Sequence, residues 1–260
     1  MKELTAILAI LSASPAFARD ETVGVRVREW FVTMEGDIKS DATLIEGTDI
    51  DLDSTLGLDD REVAHEIQAY VAIPFLGKIY AGAWWATFEG DQVLSQSIDF
   101  AGQTFAASTT ISSTIDLNCY YLSYEFVFPT IPLGDLFKAE IGILAGIRVI
   151  QASGEVEAIG LSAGEEGTVG IPVLGLHGMV QVTEWVRADV ELMGLTFSYG
   201  DRSGRYVEAF GEVIAQPFPW LFGGVGYKFV DLRVKDEASS TNFDIDINLT
   251  GFYLTAGVRF

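Results

Sequence analysis

The strongest constraint on this chain is a period-two alternation of apolar and polar residues that recurs along its length. Ile67, Ala69, Val71 and Ile73 alternate with Glu66, Gln68, Tyr70 and Ala72, and Phe137, Ala139, Ile141, Ile143, Ala145, Ile147 and Val149 alternate with Lys138, Glu140, Gly142, Leu144, Gly146 and Arg148. Val186, Ala188, Val190 and Leu192 oppose Arg187, Asp189, Glu191 and Met193. Val207, Ala209, Gly211, Val213 and Ala215 oppose Glu208, Phe210, Glu212, Ile214 and Gln216. Successive strand side chains point to opposite faces, so each segment reads as a strand with one apolar and one mixed or ionic face. A helical membrane span needs about 20 apolar residues in succession. Past the N-terminal run, every stretch of that length is broken by charges or glycines.

This reading gives ten strands, near 23–37, 64–74, 78–90, 112–128, 137–151, 170–182, 185–198, 205–216, 220–234 and 244–260. An even number suits an up-and-down barrel closed by one chain. The connections after the second, fourth, sixth and eighth strands are short. Pro74, Pro129, Pro132, Pro217 and Pro219 fall in three of these turns, and Pro172 is read as starting a strand. Long polar or small-residue connections at 38–63, 91–111, 152–169 and 235–243 would share the other end with the brief 199–204 loop. In several strands the apolar set jumps between odd and even positions. In the last strand Ile245, Ile247 and Leu249 give way to Phe252, Leu254, Ala256, Val258 and Phe260, which predicts a bulge near Gly251. The facing residues of the first, fourth and ninth strands stay unassigned for the same reason.

A soluble barrel would also alternate, with its apolar face inward. Three features favour an apolar face turned to lipid. The chain ends on Phe260 behind alternate apolar residues, the N-terminus resembles an export signal, and Phe75, Tyr80, Phe137, Trp185, Phe218, Trp220 and Phe222 cluster near the short turns, where rings would sit at headgroup level. The signal is read over residues 1–18, with Lys2, an apolar run from Leu4 to Leu11 and Ala16-Phe17-Ala18 before the cleavage point. Residues 19–260 then form the barrel domain. Cys119 is the only cysteine, so no intrachain disulfide forms, and it reads as a packing residue. With 16 Lys and Arg against 37 Asp and Glu, the net charge of -21 argues against a nucleic-acid partner.

The terminal Gly257-Val258-Arg259-Phe260 resembles the closing signature of Gram-negative outer-membrane barrels. Ile171-Pro172-Val173-Leu174-Gly175-Leu176-His177, Gly224-Val225-Gly226-Tyr227-Lys228 and the acidic Ile50-to-Leu58 stretch resemble a family of small proteobacterial outer-membrane barrel proteins. The resemblance covers most of the chain and implies an outer-membrane location, surrounding lipid as a partner, and Phe260 as the residue read by the insertion machinery. It implies no activity.

The candidate functional residues are the ionic face: Lys138, Glu140, Arg148, His177, Arg187, Asp189, Glu191, Glu208 and Glu212, enclosed together in one lumen. Three bases against five acids would leave a cation-preferring wall, while the same groups could pair into a plug, which the narrow interior of a ten-stranded barrel favours. Asp49, Asp51 and Asp53 have the spacing of calcium-loop ligands, but Ser54 and Asp60 stand where glycine and glutamate are needed, so no metal and no cofactor is expected. His65 follows Asp59, Asp60 and Glu62 at the expected rim, yet its parity matches lipid-facing Ile67 and Ala69, and no catalytic motif accompanies it. The sequence thus points to an outer-membrane barrel, structural or a narrow passive channel. A surface-binding barrel using its acidic loops is the alternative, and a hydrolytic enzyme ranks behind both.

Overall fold

A computed structural model describes residues 23–40, 48, 50–58, 61–73, 76–128, 131–132, 138–199, 202–236 and 243–260. The expected signal at 1–18 lies outside them. The strands are β1 (Val23–Ser40), β2 (Ile50–Asp51), β3 (Glu62–Ile73), β4 (Gly77–Val93), β5 (Ile98–Phe100), β6 (Gln103–Phe105), β7 (Thr110–Val127), β8 (Ile131–Pro132), β9 (Lys138–Ala158), β10 (Leu161–Gln181), β11 (Val186–Tyr199), β12 (Arg202–Phe218), β13 (Leu221–Asp236) and β14 (Phe243–Arg259). The ten long ones coincide with the ten strands expected from alternation.

Each long strand pairs antiparallel with the next, and β14 closes on β1 from Gly24 opposite Arg259 to Ser40 opposite Phe243. The backbone of Val23 exchanges hydrogen bonds with Phe260, so the last residue helps to seal the seam. Following paired residues from Val23 through Val71, Ile79, Tyr124, Ala145, Leu174, Gly194, Val207, Asp231 and Asn248 returns to β1 at Glu35, an offset of 12 residues. For ten strands that offset tilts the strands by about 40° to the barrel axis.

Two expectations about the long connections are corrected. Residues 152–169 are not a loop: β9 and β10 continue as one ladder to a turn at Ile159-Gly160. Pro172 does not start a strand but sits within β10, paired with Ile147. Its other edge explains why it is tolerated there. Pairing of β10 with β11 ends at Leu174 opposite Gly194, so Pro172, which has no N–H to donate, lies just past the end of that ladder. Within 91–111, β5 and β6 form a small hairpin of their own.

The predicted bulge at Gly251 is absent. Register runs unbroken on both sides of it, from Phe252 opposite Phe31 to Thr250 opposite Thr33 and from Tyr227 to Phe229 on β13. The one register shift among the barrel strands lies between Ala215 and Phe218, around Pro217. What changes along β14 is the surroundings, not the parity. Tyr253 and Thr255 point inward, and so do Ile245, Ile247 and Leu249, all of them buried. On β7, Tyr121, Ser123 and Glu125 face the interior while Tyr120, Leu122, Tyr124 and Phe126 face out. One turn of the ladder further on, Cys119, Leu117 and Ile115 face in while Asn118, Asp116 and Thr114 face out.

The barrel therefore has two storeys. At the short-turn end its outer face is an apolar belt and its interior is polar. At the long-loop end the outer face is polar and the interior is an ordinary hydrophobic core of Trp30, Val32, Phe88, Ile111, Leu117, Ile150, Tyr206 and Leu249. Loop residues Ile50, Leu52, Leu56, Leu58, Leu94, Ile98, Phe100 and Phe105 fold onto this core and are buried with it. On β7 the belt runs from Phe128 to Tyr120, and at ~2.5 Å of axial rise per tilted residue this spans about 20 Å, near the height of a transmembrane belt. Exposed Phe126, Phe128, Trp185, Phe218, Trp220 and Phe260 mark its lower rim, and Phe31, Trp85 and Tyr120 its upper rim.

Candidate functional site: a charged lumen

Inside the belt, inward positions of eight strands converge on one ionic network. Arg28 donates to Glu66 at 2.7 Å and approaches Glu212 at 3.5 Å, and Arg26 donates to Glu212 and Gln68, each at 2.7 Å. Lys228 lies 3.2 Å from Glu66 and 3.0 Å from Glu208, which also receives Arg148 at 3.0 Å. Nearer the short turns, His177 Nδ1 meets Glu125 at 2.6 Å and Nε2 lies 3.8 Å from Asp189, itself held by Arg187 at 3.0 Å.

Tyrosines fill the remaining acceptor positions. Tyr121 donates to Glu66, Tyr80 to Glu125, Tyr206 to Glu208 and Tyr253 to Glu212, at 2.5 to 3.1 Å. The cations also lie over rings: Arg28 over Phe210 and Tyr253, Arg148 over Tyr121, and Lys228 over Trp30 and Trp84, all within 5.8 Å. A buried charge is costly unless it is paired and hydrogen-bonded, and here Glu66, Glu208 and Glu212 each have both a cationic and a phenolic partner, while Glu125 is held between His177 and Tyr80.

Of the nine residues expected in the lumen, Arg148, His177, Arg187, Asp189, Glu191, Glu208 and Glu212 face the barrel interior. Glu140 reaches the cavity near the short turns, beside Lys78 and Arg187, while Lys138 is exposed at the rim. Sequence reasoning missed Arg26, Arg28, Glu66, Glu125 and Lys228 as members. Arg26 and Arg28 do alternate with Val25 and Val27, and Glu66 with Ile67, so a period-two signal existed for them. Counting those that reach the interior, Arg26, Arg28, Arg148, Arg187 and Lys228 face Glu66, Glu125, Glu140, Asp189, Glu191, Glu208 and Glu212, with Lys78 and His177 beside them at the short-turn end. Six fixed cations against seven carboxylates, with His177 paired to Glu125, reduce the negative excess behind the cation-preferring expectation.

A cavity of about 40 Å³ lies on the short-turn side of the network, lined among others by Tyr70, Tyr80, His177, Asp189 and Phe222. Above the network the hydrophobic core closes the lumen. Asp51 outside the belt accepts the Ser54 N–H at 2.6 Å, which holds its carboxyl below the usual carboxylate range and ties it to a turn. Asp49 and Asp60 lie outside the described residues. His65 points to the outer face, as its parity required, and its partner among the described residues is Glu29 on β1.

A closed ten-stranded antiparallel barrel, apolar outside and ionic inside over the same belt, is a transmembrane barrel of the outer-membrane type, because hydrocarbon admits sheets only when no edge is left unpaired. No family model matches the chain, and no curated protein does. Solved structures similar to it include the outer membrane protease OmpT from Escherichia coli, with 10% identity, a TM-score of 0.48, and 95% of this chain and 99% of that one covered. The translocator domain of the autotransporter NalP from Neisseria meningitidis gives 10% identity and a TM-score of 0.48 over 100% and 94% of the two chains. The attachment invasion locus protein Ail of Yersinia pestis gives 10% and 0.35 over 93% and 100%.

Proposed function

We propose that this chain is a sealed outer-membrane barrel that acts as a structural and surface-interaction protein, with its short turns in the periplasm and its long-loop storey outside the cell. The observation that carries this reading is the filled lumen. Lys228, Arg28 and Glu66 are no more than 4% exposed at its centre, and an apolar core with folded-in loops lies above them. A conducting pore needs a continuous wet path with sites that ions can enter and leave. Here neighbouring side chains satisfy the charges instead.

The long-loop storey supplies the surface. The β9–β10 hairpin ends on a fully exposed Ile159, and the outward positions of β7 and β12–β14 at this level carry Asp116, Asn118, Arg205, Arg233, Lys235, Asp244 and Asp246. The proposal assigns no reaction to the chain. Planar-bilayer recording of the refolded protein tests it: no single-channel steps are expected, whereas stepwise conductance in the unmodified protein would overturn the sealed reading in favour of a passive channel.

A further inference from the structure

The apolar belt has one ionisable interruption among its described outward positions. Glu29 on β1 and His65 on β3 are register partners, and His65 Nδ1 lies 2.7 Å from Glu29 Oε2. Both side chains are about half exposed, at 49% and 48%, and face outward. Val27, Phe31, Val63 and Ile67 flank the pair on its own strands, Leu254 stands beside Glu29 on β14, and Trp85 lies opposite His65 on β4 with its ring 5.9 Å from the imidazole. The next polar outward positions are Thr33 and Arg61, four residues nearer the loops on each strand. At ~2.5 Å per tilted residue the pair sits up to ~10 Å beneath that polar level, inside the belt.

Polar groups facing hydrocarbon are costly and usually mark function. Every outward position at this level is in contact with lipid, so lipid is the occupant that the fold itself supplies. The chemistry of the pair narrows the kind of lipid. Glu29 Oε2 is engaged by His65, which leaves Oε1 as an acceptor toward the acyl region whichever ring nitrogen of His65 carries a proton. A diester phospholipid offers only acceptors where its chains begin. A lipid with amide-linked or hydroxylated acyl chains brings N–H and O–H donors to that depth, and an indole ring beside the pair suits the face of an attached sugar.

We propose that Glu29 and His65, with Trp85, form a binding site on the outer wall for a lipid whose acyl chains carry hydroxyl or amide donors just below the headgroup. The inference rests on the transmembrane reading of the belt and not on whether the lumen conducts. The test uses the full chain folded into two sets of vesicles, diester phospholipid alone and the same lipid with added lipopolysaccharide, followed by native mass spectrometry of co-purified lipid. Retention of the hydroxyacyl lipid is expected, with at least a tenfold loss in a Glu29→Leu/His65→Leu double variant that still folds, as judged by its heat-shifted gel mobility. Two conservative variants, Glu29→Gln and His65→Gln, keep the structure should the double variant fail to fold, and reduced retention is expected in both.

Equal retention by protein and variants would overturn the site, as would equal capture of the diester lipid. A dimer that cross-links through Glu29 and is lost in the variant would replace lipid by a second copy of the chain. Failure of the unmodified protein to enter vesicles at all would instead defeat the membrane reading beneath the proposal.

Discussion

Lys228 is buried at the centre of the ionic network. Its ammonium bridges Glu66 and Glu208 and lies 5.1 Å from the Trp30 ring centre, so removing it leaves two buried carboxylates short of a cation. Breaking a buried pair from one side typically costs about 3–5 kcal/mol, whereas replacing all partners with neutral groups costs far less. Lys228→Met is therefore expected to lower stability by about that amount, read from urea unfolding in detergent micelles. Adding Glu66→Gln and Glu208→Gln to it should recover part of the loss. A single variant as stable as the parent would mean that water reaches these carboxylates. The pairs joined here lie far apart in sequence, 162 residues in the case of Lys228 and Glu66, so alternation could identify an ionic face but not who pairs with whom.

At the scale of the strand, β14 explains why the sequence misleads at Gly251. Apolar odd residues before it and apolar even residues after it look like a change of face. In fact one face passes from a soluble-type core into a polar lumen while the other passes from water into lipid. Local periodicity carries no mark of where the bilayer begins, and β1, β7 and β13 were unreadable for the same reason. The ten strands themselves were legible because alternation is local, and so was the outward parity of His65. Its partner Glu29 was not, since that needs the β1–β3 register.

Gly251 has a different use from the expected bulge. A Cβ there would fall 1.9 Å from the Phe31 carbonyl oxygen, so the residue permits close approach of β1 and β14 at the closing seam. Gly251→Ala is expected to destabilise the barrel by about 1–3 kcal/mol through forced backbone shifts. Thr250→Ala next to it on the outer face should stay within about 0.5 kcal/mol. The temperature at which the folded gel band converts to the unfolded one checks both, and equal temperatures would remove the close-approach argument.

Taken whole, the molecule is a membrane barrel continued upward as a soluble one, and a single chain satisfies two solvents by exchanging the chemistry of its faces at one level. The acidic composition belongs mainly to surfaces and loops, because the lumen is near charge balance. The proposed sealed reading rests on that arrangement, with the described loop residues Ile50, Leu52, Leu56, Ile98 and Phe105 packed onto the core above the lumen.

Spin labels placed singly along β7 at Ser112, Thr114, Asp116, Asn118, Tyr120, Leu122, Tyr124 and Phe126 of the vesicle-inserted protein test the exchange of faces most directly. Collision with oxygen, which concentrates in hydrocarbon, should dominate from Tyr120 to Phe126, and collision with a water-soluble nickel chelate should dominate from Ser112 to Asn118. Uniform access of the chelate along all eight positions would contradict it, leaving a barrel surrounded by water.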